Sequence, residues 1–256
     1  MLEQVMKKMS KITKIIERLN QNEPNSIGFG SNNNIKKNQH MILISYLDIE
    51  RDYDMKILKH SDAIVIKNWT KKHSLNSLKK SGMIIGLEVY DNMNSDIKLL
   101  EKENFDFIVF ASDNVNANLL LSEKFSSAYF ISSVISDDKG ASIEEIGFDF
   151  LILKNDSISF PLKISDLLKL EEMVLKNSGI LVMYSNSLPT YSDLELMRKA
   201  NISGIAVDGN GISKKQIEYL RNEIQKLEPL KMNNNSSDSP FLPNFSNNQD
   251  FDEYDE

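Results

Sequence analysis

Four short apolar runs in this sequence end on residues that decide which chemistry is within reach. They are Asp62-Ala-Ile-Val-Ile-Lys67, Asp106-Phe-Ile-Val-Phe-Ala111, Asp149-Phe-Leu-Ile-Leu-Lys154 and Ser203-Gly-Ile-Ala-Val-Asp208. Their final positions supply Lys67, Lys154 and Asp208, with Ala111 leaving room beside them. A fifth run, Met83–Tyr90, adds Glu88. Its apolar face is Met83, Ile85, Leu87 and Val89, so Ile84, Gly86 and Glu88 fall on the other face of a strand. Two ammonium groups beside two carboxylates can hold an anion and move a proton. A lysine withdrawn from water among other cations can also attack a carbonyl as an amine, with Glu88 or Asp208 shuttling protons. The four charges also balance, so a neutral plug in a protein core accounts for them equally well, because ion-pair networks need not be catalytic.

The spacing of the runs indicates what holds them together. The first three begin 44 and 43 residues apart, and the fourth 54 later. Each interval has room for one further strand and helix, so the repeat is β-α-β-α, and four such units make a (β/α)8 barrel. The expected strands are Met41–Leu47, Ala63–Lys67, Met83–Tyr90, Phe107–Ala111, Ala128–Val134, Phe150–Lys154, Ile180–Asn186 and Gly204–Asp208. The helices between and after them are Tyr53–Lys59, Leu75–Lys80, Ser95–Glu103, Ala117–Lys124, Ser142–Ile146, Ser165–Lys176, Tyr191–Lys199 and Ser213–Leu227. An open doubly wound sheet is the alternative, but it leaves the fourfold repeat unexplained.

Strand alternation then sorts the side chains. Ile64, Ile66, Ile108, Phe110, Leu151, Leu153, Ile205 and Val207 form a uniformly bulky set that suits the space under outer helices. Ala63, Phe107, Phe150 and Gly204, followed by Val65, Val109, Ile152 and Ala206, mix small and large and suit a packed barrel centre. The layer above these is Lys67, Ala111, Lys154 and Asp208. It lies at the carboxyl ends of the strands, where barrel enzymes keep their sites.

Two resemblances add to this reading. Lys154 on the sixth strand resembles the Schiff-base lysine of class I aldolases in strand position and residue type. The last quarter of the chain, Tyr184-Ser-Asn-Ser-Leu-Pro-Thr190, Tyr191–Lys199 and Gly204–Gly211, is similar to the phosphate-binding quarter of ribulose-phosphate-type and indole-glycerol-phosphate-synthase-type barrels. That resemblance implies phosphate binding by Ser185 and Asn186 after strand seven and by the backbone of Gly209, Asn210 and Gly211 after strand eight. The paired glycines usual after strand seven are replaced here by Asn186 and Ser187. A plain turn, with Gly209 and Gly211 at positive φ, is the simpler account of the second loop. Ser213 with Gln216 has the spacing of a capping box.

Other chemistries find less support. The chain has no cysteine, which excludes disulfides and thiolate nucleophiles or ligands. The histidines are scattered, with His40 before the first strand, His60 at a helix end and His73 in the loop after strand two. Asp91 and Asp96 with Glu88 offer oxygens suited to Mg²⁺, although Asp96 also reads as a first-turn helix acid. Ser132 and Ser133 end strand five with no evident base. No metal or cofactor is required by the sequence. The expected ligand is a small anionic metabolite.

The 256 residues suffice for one large α/β domain, with flanking segments on either side. Residues 1–40 are an amphipathic helix over 2–19 and an Asn-rich connector holding Ile27-Gly-Phe-Gly30, which reads as a bottom-side strand or plug. The helix carries a balance of +3, from four lysines and Arg18 against Glu3 and Glu17. It suits covering the barrel bottom, pairing with another subunit, or lying on anionic lipid. Residues 41–230 are the barrel. Residues 231–256 set six acids against Lys231, a balance of −5, and have the composition of a disordered tail. Phe241, Leu242, Phe245, Phe251 and Tyr254 in it could form a motif that docks on a protein partner. The tail leaves −2 of the total −7 for residues 1–230, no footprint for nucleic acid. Mean hydropathy is −0.34 and no apolar run reaches membrane-spanning length, so a cytoplasmic protein is expected.

Overall fold

The structure, a computed structural model, describes residues 10–20, 41–91, 96–131, 135–154, 156–177 and 179–228. The segment Ile27–Gly30, His40, Ser132 and Ser133, residues 2–9 and the acidic tail lie outside the described residues. Eight parallel strands pair in sequence order and close as β1 meets β8. They are β1 (Ile42–Asp48), β2 (Ala63–Lys67), β3 (Ile84–Val89), β4 (Phe107–Phe110), β5 (Ser126–Ile131), β6 (Phe150–Lys154), β7 (Leu181–Ser185) and β8 (Ile202–Asp208). Around them run α2 (Met55–Leu58), α3 (Asn76–Lys80), α4 (Ile97–Lys102), α5 (Asp137–Ile146), α6 (Ile164–Leu175), α7 (Tyr191–Lys199) and α8 (Lys214–Lys226), with α1 (Lys11–Asn20) preceding the barrel.

Local sequence explains where the helices start. Asp54 and Asp96 accept from the N–H groups of Lys56 and Lys98, so Asp96 is the N-cap rather than a residue of the first turn. Thr190 with Asp193, and Ser213 with Gln216, form reciprocal capping boxes at α7 and α8. Gly147 closes α5 in the left-handed region, at φ 73°. Two expected helices differ. The segment Ala117–Lys124 forms a 3-10 turn over Ala117–Leu121 instead of an α-helix, because Asn116 bonds its own backbone two residues on and draws the chain into a turn. Helix α5 begins five residues earlier than its apolar pattern indicates, because Ser136 caps it ahead of the polar Asp137-Asp138-Lys139 turn.

The barrel interior fills in layers from alternate strands, as the alternation predicts. The outer set of the repeat packs under the helices in one apolar cluster. The inner set forms a second cluster with Ile42, Ile44, Ile84, Ala128 and Val182. Gly86 is required here because a Cβ would stand 2.3 Å from the Phe107 ring. The bottom is shut by α1, whose Ile12 is fully buried in the inner cluster with Ile15 packed against it. Thr13 Oγ1 meets Ser126 Oγ at 2.8 Å, at the start of β5. Of the three roles open to this helix, the described half covers the barrel bottom.

The aspartate that opens three of the four repeats also has a structural use. Asp62, Asp106 and Asp149 precede β2, β4 and β6, and each accepts from a backbone N–H of the preceding strand. The donors are Leu43 at 2.8 Å, Ile85 at 3.0 Å and Ser127 at 2.7 Å. The backbone N–H of the same aspartates returns a bond to the carbonyl of the same residue, at 2.8, 2.8 and 2.9 Å. These paired bonds splice odd strands to even ones where the ladders begin.

Candidate active site

At the carboxyl ends of the strands the inner face changes from apolar to charged. Lys67, Lys154 and Asp208 end β2, β6 and β8. Register places each on the inner face. Lys154 pairs with Tyr184 and Asp208 with Tyr46, and both tyrosines belong to the inner cluster. Just below lies a layer from the odd strands, Tyr46, Glu88, Phe130 and Tyr184. Tyr46 and Tyr184 meet edge to face at 5.0 Å between ring centroids, and Phe130 closes the triangle at 6.3 and 6.1 Å. Glu88 is therefore the one carboxylate in an otherwise aromatic layer.

Lys67 spans the two layers. Its Nζ lies 3.9 Å from Glu88 Oε2, 4.9 Å from the Tyr46 ring centroid and 5.5 Å from that of Tyr184. Lys154 Nζ stands 5.8 Å from the Tyr184 centroid. The ammonium groups thus rest on ring faces, which attract cations. Glu88 is buried and has distant partners, since the Tyr90 hydroxyl donates to it at 3.4 Å. Burial raises its pKa above the ordinary 4.5, and Lys67, the Tyr90 hydrogen bond and Lys154 only partly offset this. Burial raises Tyr184 to about 12, with the Asp208 and Glu88 charges adding to it. Tyr46 is likewise pushed well up, by full burial first and then by the Glu88 charge. Its hydroxyl is buried without a hydrogen-bond partner.

The balanced plug of two lysines, Glu88 and Asp208 forms only in part. Lys67 faces Glu88, but Lys154 pairs at 3.3 Å with Asp156, a loop residue the sequence pattern did not single out. Asp208 is engaged by its own loop, its Oδ1 accepting from the Asn210 N–H at 3.1 Å. The Lys154 side chain is 30% exposed and sits beside this acid, not among cations in an apolar pocket. That is a weak setting for an amine nucleophile.

The five candidates for phosphate binding divide. Ser185 faces the helix layer, and its Oγ is used by its own turn, donating to Ser187 O at 2.8 Å and accepting from Ser187 N–H at 3.1 Å. The Gly209 N–H donates to Tyr46 O at 2.6 Å. The Asn210 side chain clamps the end of β1, accepting from Asp48 N–H at 2.7 Å and donating to Asp48 O and Asp52 O at 3.1 and 3.2 Å. Asn186 is exposed, 3.4 Å from Asp156. Gly211 lies against Asp208. Neither Gly209 nor Gly211 has positive φ, which corrects the turn expectation. Gly209 is needed for a different reason, since a Cβ would stand 2.8 Å from Tyr46 O.

Elsewhere, Asp91 accepts from Asn114 Nδ2 at 3.0 Å, and Asp96 is used as a cap. No group of three ligating side chains able to hold a metal occurs among the described residues. His60 faces Glu218, and His73 bonds Thr70 within its loop. A groove of about 710 Å³ lies on the outer wall between α5 and the end of α6, and none of the candidate charges lines it. Among the described residues no helix is long and apolar enough to cross a membrane. Reading odd strands as the even ones were read would have found Tyr46, Phe130 and Tyr184, which share the parity of Ile44, Ala128 and Val182.

No protein-family model matches the chain, and no curated protein matches it. Solved structures do. A thiamine phosphate pyrophosphorylase from Pyrococcus furiosus aligns with a TM-score of 0.52 at 12% identity, over 73% of this chain and 96% of that one. A mutant tryptophan synthase α-subunit from the same organism aligns with a TM-score of 0.55 at 12% identity, over 73% and 97%. A protein from Aquifex aeolicus gives 0.53 at 13% identity, over 75% and 94%. At such identities the likeness is one of fold, and the fold it gives is the (β/α)8 barrel.

Proposed function

We propose that this barrel binds a small phosphorylated or carboxylated metabolite at the carboxyl ends of its strands and acts on it by proton transfer, as a lyase or isomerase. The observation that carries this reading is Glu88, a buried carboxylate whose nearest partners are the Tyr90 hydroxyl at 3.4 Å and the Lys67 ammonium at 3.9 Å. Charge without close partners in a core is costly and marks candidate sites. Lys67 and Lys154 would hold the anionic group, and Glu88, with its raised pKa, would exchange the proton. Asp208 would bias the rim electrostatically. Asn186 and Gly211 would add polar contacts there, whereas Ser185, Gly209 and Asn210 already spend their donors within the protein. One structure that shares this fold is named a thiamine phosphate pyrophosphorylase, which agrees with a phosphorylated ligand.

A barrel that binds the same anion without chemistry is the second reading, favoured by the spent donors of Gly209 and Asn210. One experiment separates them. Small phosphorylated and carboxylated metabolites are screened by thermal shift, and hits are incubated in D₂O with wild type and Glu88→Gln. The enzyme reading expects deuterium at carbon with wild type and none with the variant. Binding without exchange favours the second reading, and the absence of any hit removes both.

A further inference from the structure

The hydroxyl of Tyr46 has no role in the fold. It is buried and has no hydrogen-bond partner, on a residue that is 1% exposed and whose ring lies beneath the Lys67 ammonium, in the layer of Glu88. A buried donor left unpaired is unfavourable, and phenylalanine would fill the same volume without that penalty. Phe130, in the same layer, shows that a ring without a hydroxyl is accommodated there. The polar atom is therefore placed where a ligand entering the mouth would meet it after Lys67. That lysine can give way, because its side chain is 32% exposed and its contact to Glu88 is long, at 3.9 Å.

We propose that Tyr46 is a specificity-determining residue, donating its hydroxyl hydrogen bond to a carbonyl oxygen of an anionic metabolite whose anionic group engages Lys67 and Lys154. The inference rests on the reading of the mouth as an anion site and narrows its ligand to a short chain with an anionic group at one end and a carbonyl oxygen further in. The anion draws Lys67 off the Tyr46 ring and uncovers the hydroxyl. The faces of Tyr184 and Phe130 bound the carbon skeleton between the two anchors.

The test uses two probes of nearly equal size, glycolaldehyde phosphate and ethyl phosphate, which differ in the carbonyl oxygen. Dissociation constants are measured for the full chain and for Tyr46→Phe, which removes one atom and keeps the ring. Wild type is expected to prefer glycolaldehyde phosphate by about tenfold, the scale of one well-placed hydrogen bond, and Tyr46→Phe to erase that preference. Ethyl phosphate should bind both proteins alike, and the variant should melt no lower than wild type. Equal affinities of wild type for the two probes overturn the inference without recourse to the variant, as does a preference that survives in Tyr46→Phe. In both cases the anion site stands. If neither probe nor inorganic phosphate binds wild type, the anion site and this inference fall together.

Discussion

The two ends of this barrel use acidic side chains in opposite ways. At the bottom, Asp62, Asp106 and Asp149 each accept a backbone N–H at 3.0 Å or less and return a backbone bond to the same residue. At the mouth, Glu88 is more deeply buried, yet its contacts are 3.4 and 3.9 Å. The bottom is capped by Ile12 on an apolar core, whereas the mouth stacks two ammonium groups on aromatic faces above an unpartnered phenol. Where an acid serves the fold, its bonds are local and short. Where the bonds stay long, the group remains available, and in a barrel the available end is the one where ligands bind.

Substitutions at each end test this contrast. The largest effect is expected in the lower interior. Phe107 is fully buried against Phe150 and over Gly86, so Phe107→Ala should cost about 3–5 kcal/mol by chemical denaturation. Next comes the splice. Asp149→Ala strands the Ser127 N–H, which bonds at 2.7 Å, and should cost about 1–3 kcal/mol. At the mouth the sign changes. The folded-state pKa of Glu88 is raised above 4.5, so its ionisation opposes folding. The wild-type protein is free of that penalty below pH 4.5, where Glu88 is protonated in both states, and loses stability as pH rises through the folded value. Glu88→Gln loses nothing on that rise. Its melting temperature should match or exceed wild type at neutral pH, and the difference should close in acid. A variant less stable at neutral pH than in acid, relative to wild type, would show that Glu88 serves the fold as the lower aspartates do. The smallest effect is expected for Asp156→Ala, which removes a partner that is 68% exposed and should change stability by no more than about 0.5 kcal/mol.

How far these features could be read in the sequence depended on periodicity. The even strands carry a repeated apolar run, opened by Asp in three of the four, so their bounds, their alternation and the inner position of Lys67, Lys154 and Asp208 follow from spacing. Strands β2 and β6 match the expected limits residue for residue. The odd strands lack that repeat, so Tyr46, Phe130 and Tyr184 do not stand out by spacing, although the same alternation places them. Side-chain pairing outside regular elements has no period, so nothing in the sequence marks Asp156 as the partner of Lys154. Gly209 shows a further limit. A glycine forced by crowding and one forced by positive φ look alike in a single sequence, and here it is the Tyr46 carbonyl that excludes a side chain. The leucines of Ala117–Leu121 suggest a helix, while the asparagine that bends the chain into a 3-10 turn lies just ahead of them.

The account turns on whether the charges at the mouth are kept for a ligand. Lys154→Met tests this most directly, by thermal unfolding with and without inorganic phosphate. The variant should melt within about 2 °C of wild type, the scale of a partly exposed ion pair in a domain of this size, and should lack the phosphate-dependent rise expected of wild type. A loss of about 3–5 kcal/mol, the cost of breaking a buried pair, together with no phosphate response in wild type, would contradict the account and identify the layer as a structural plug.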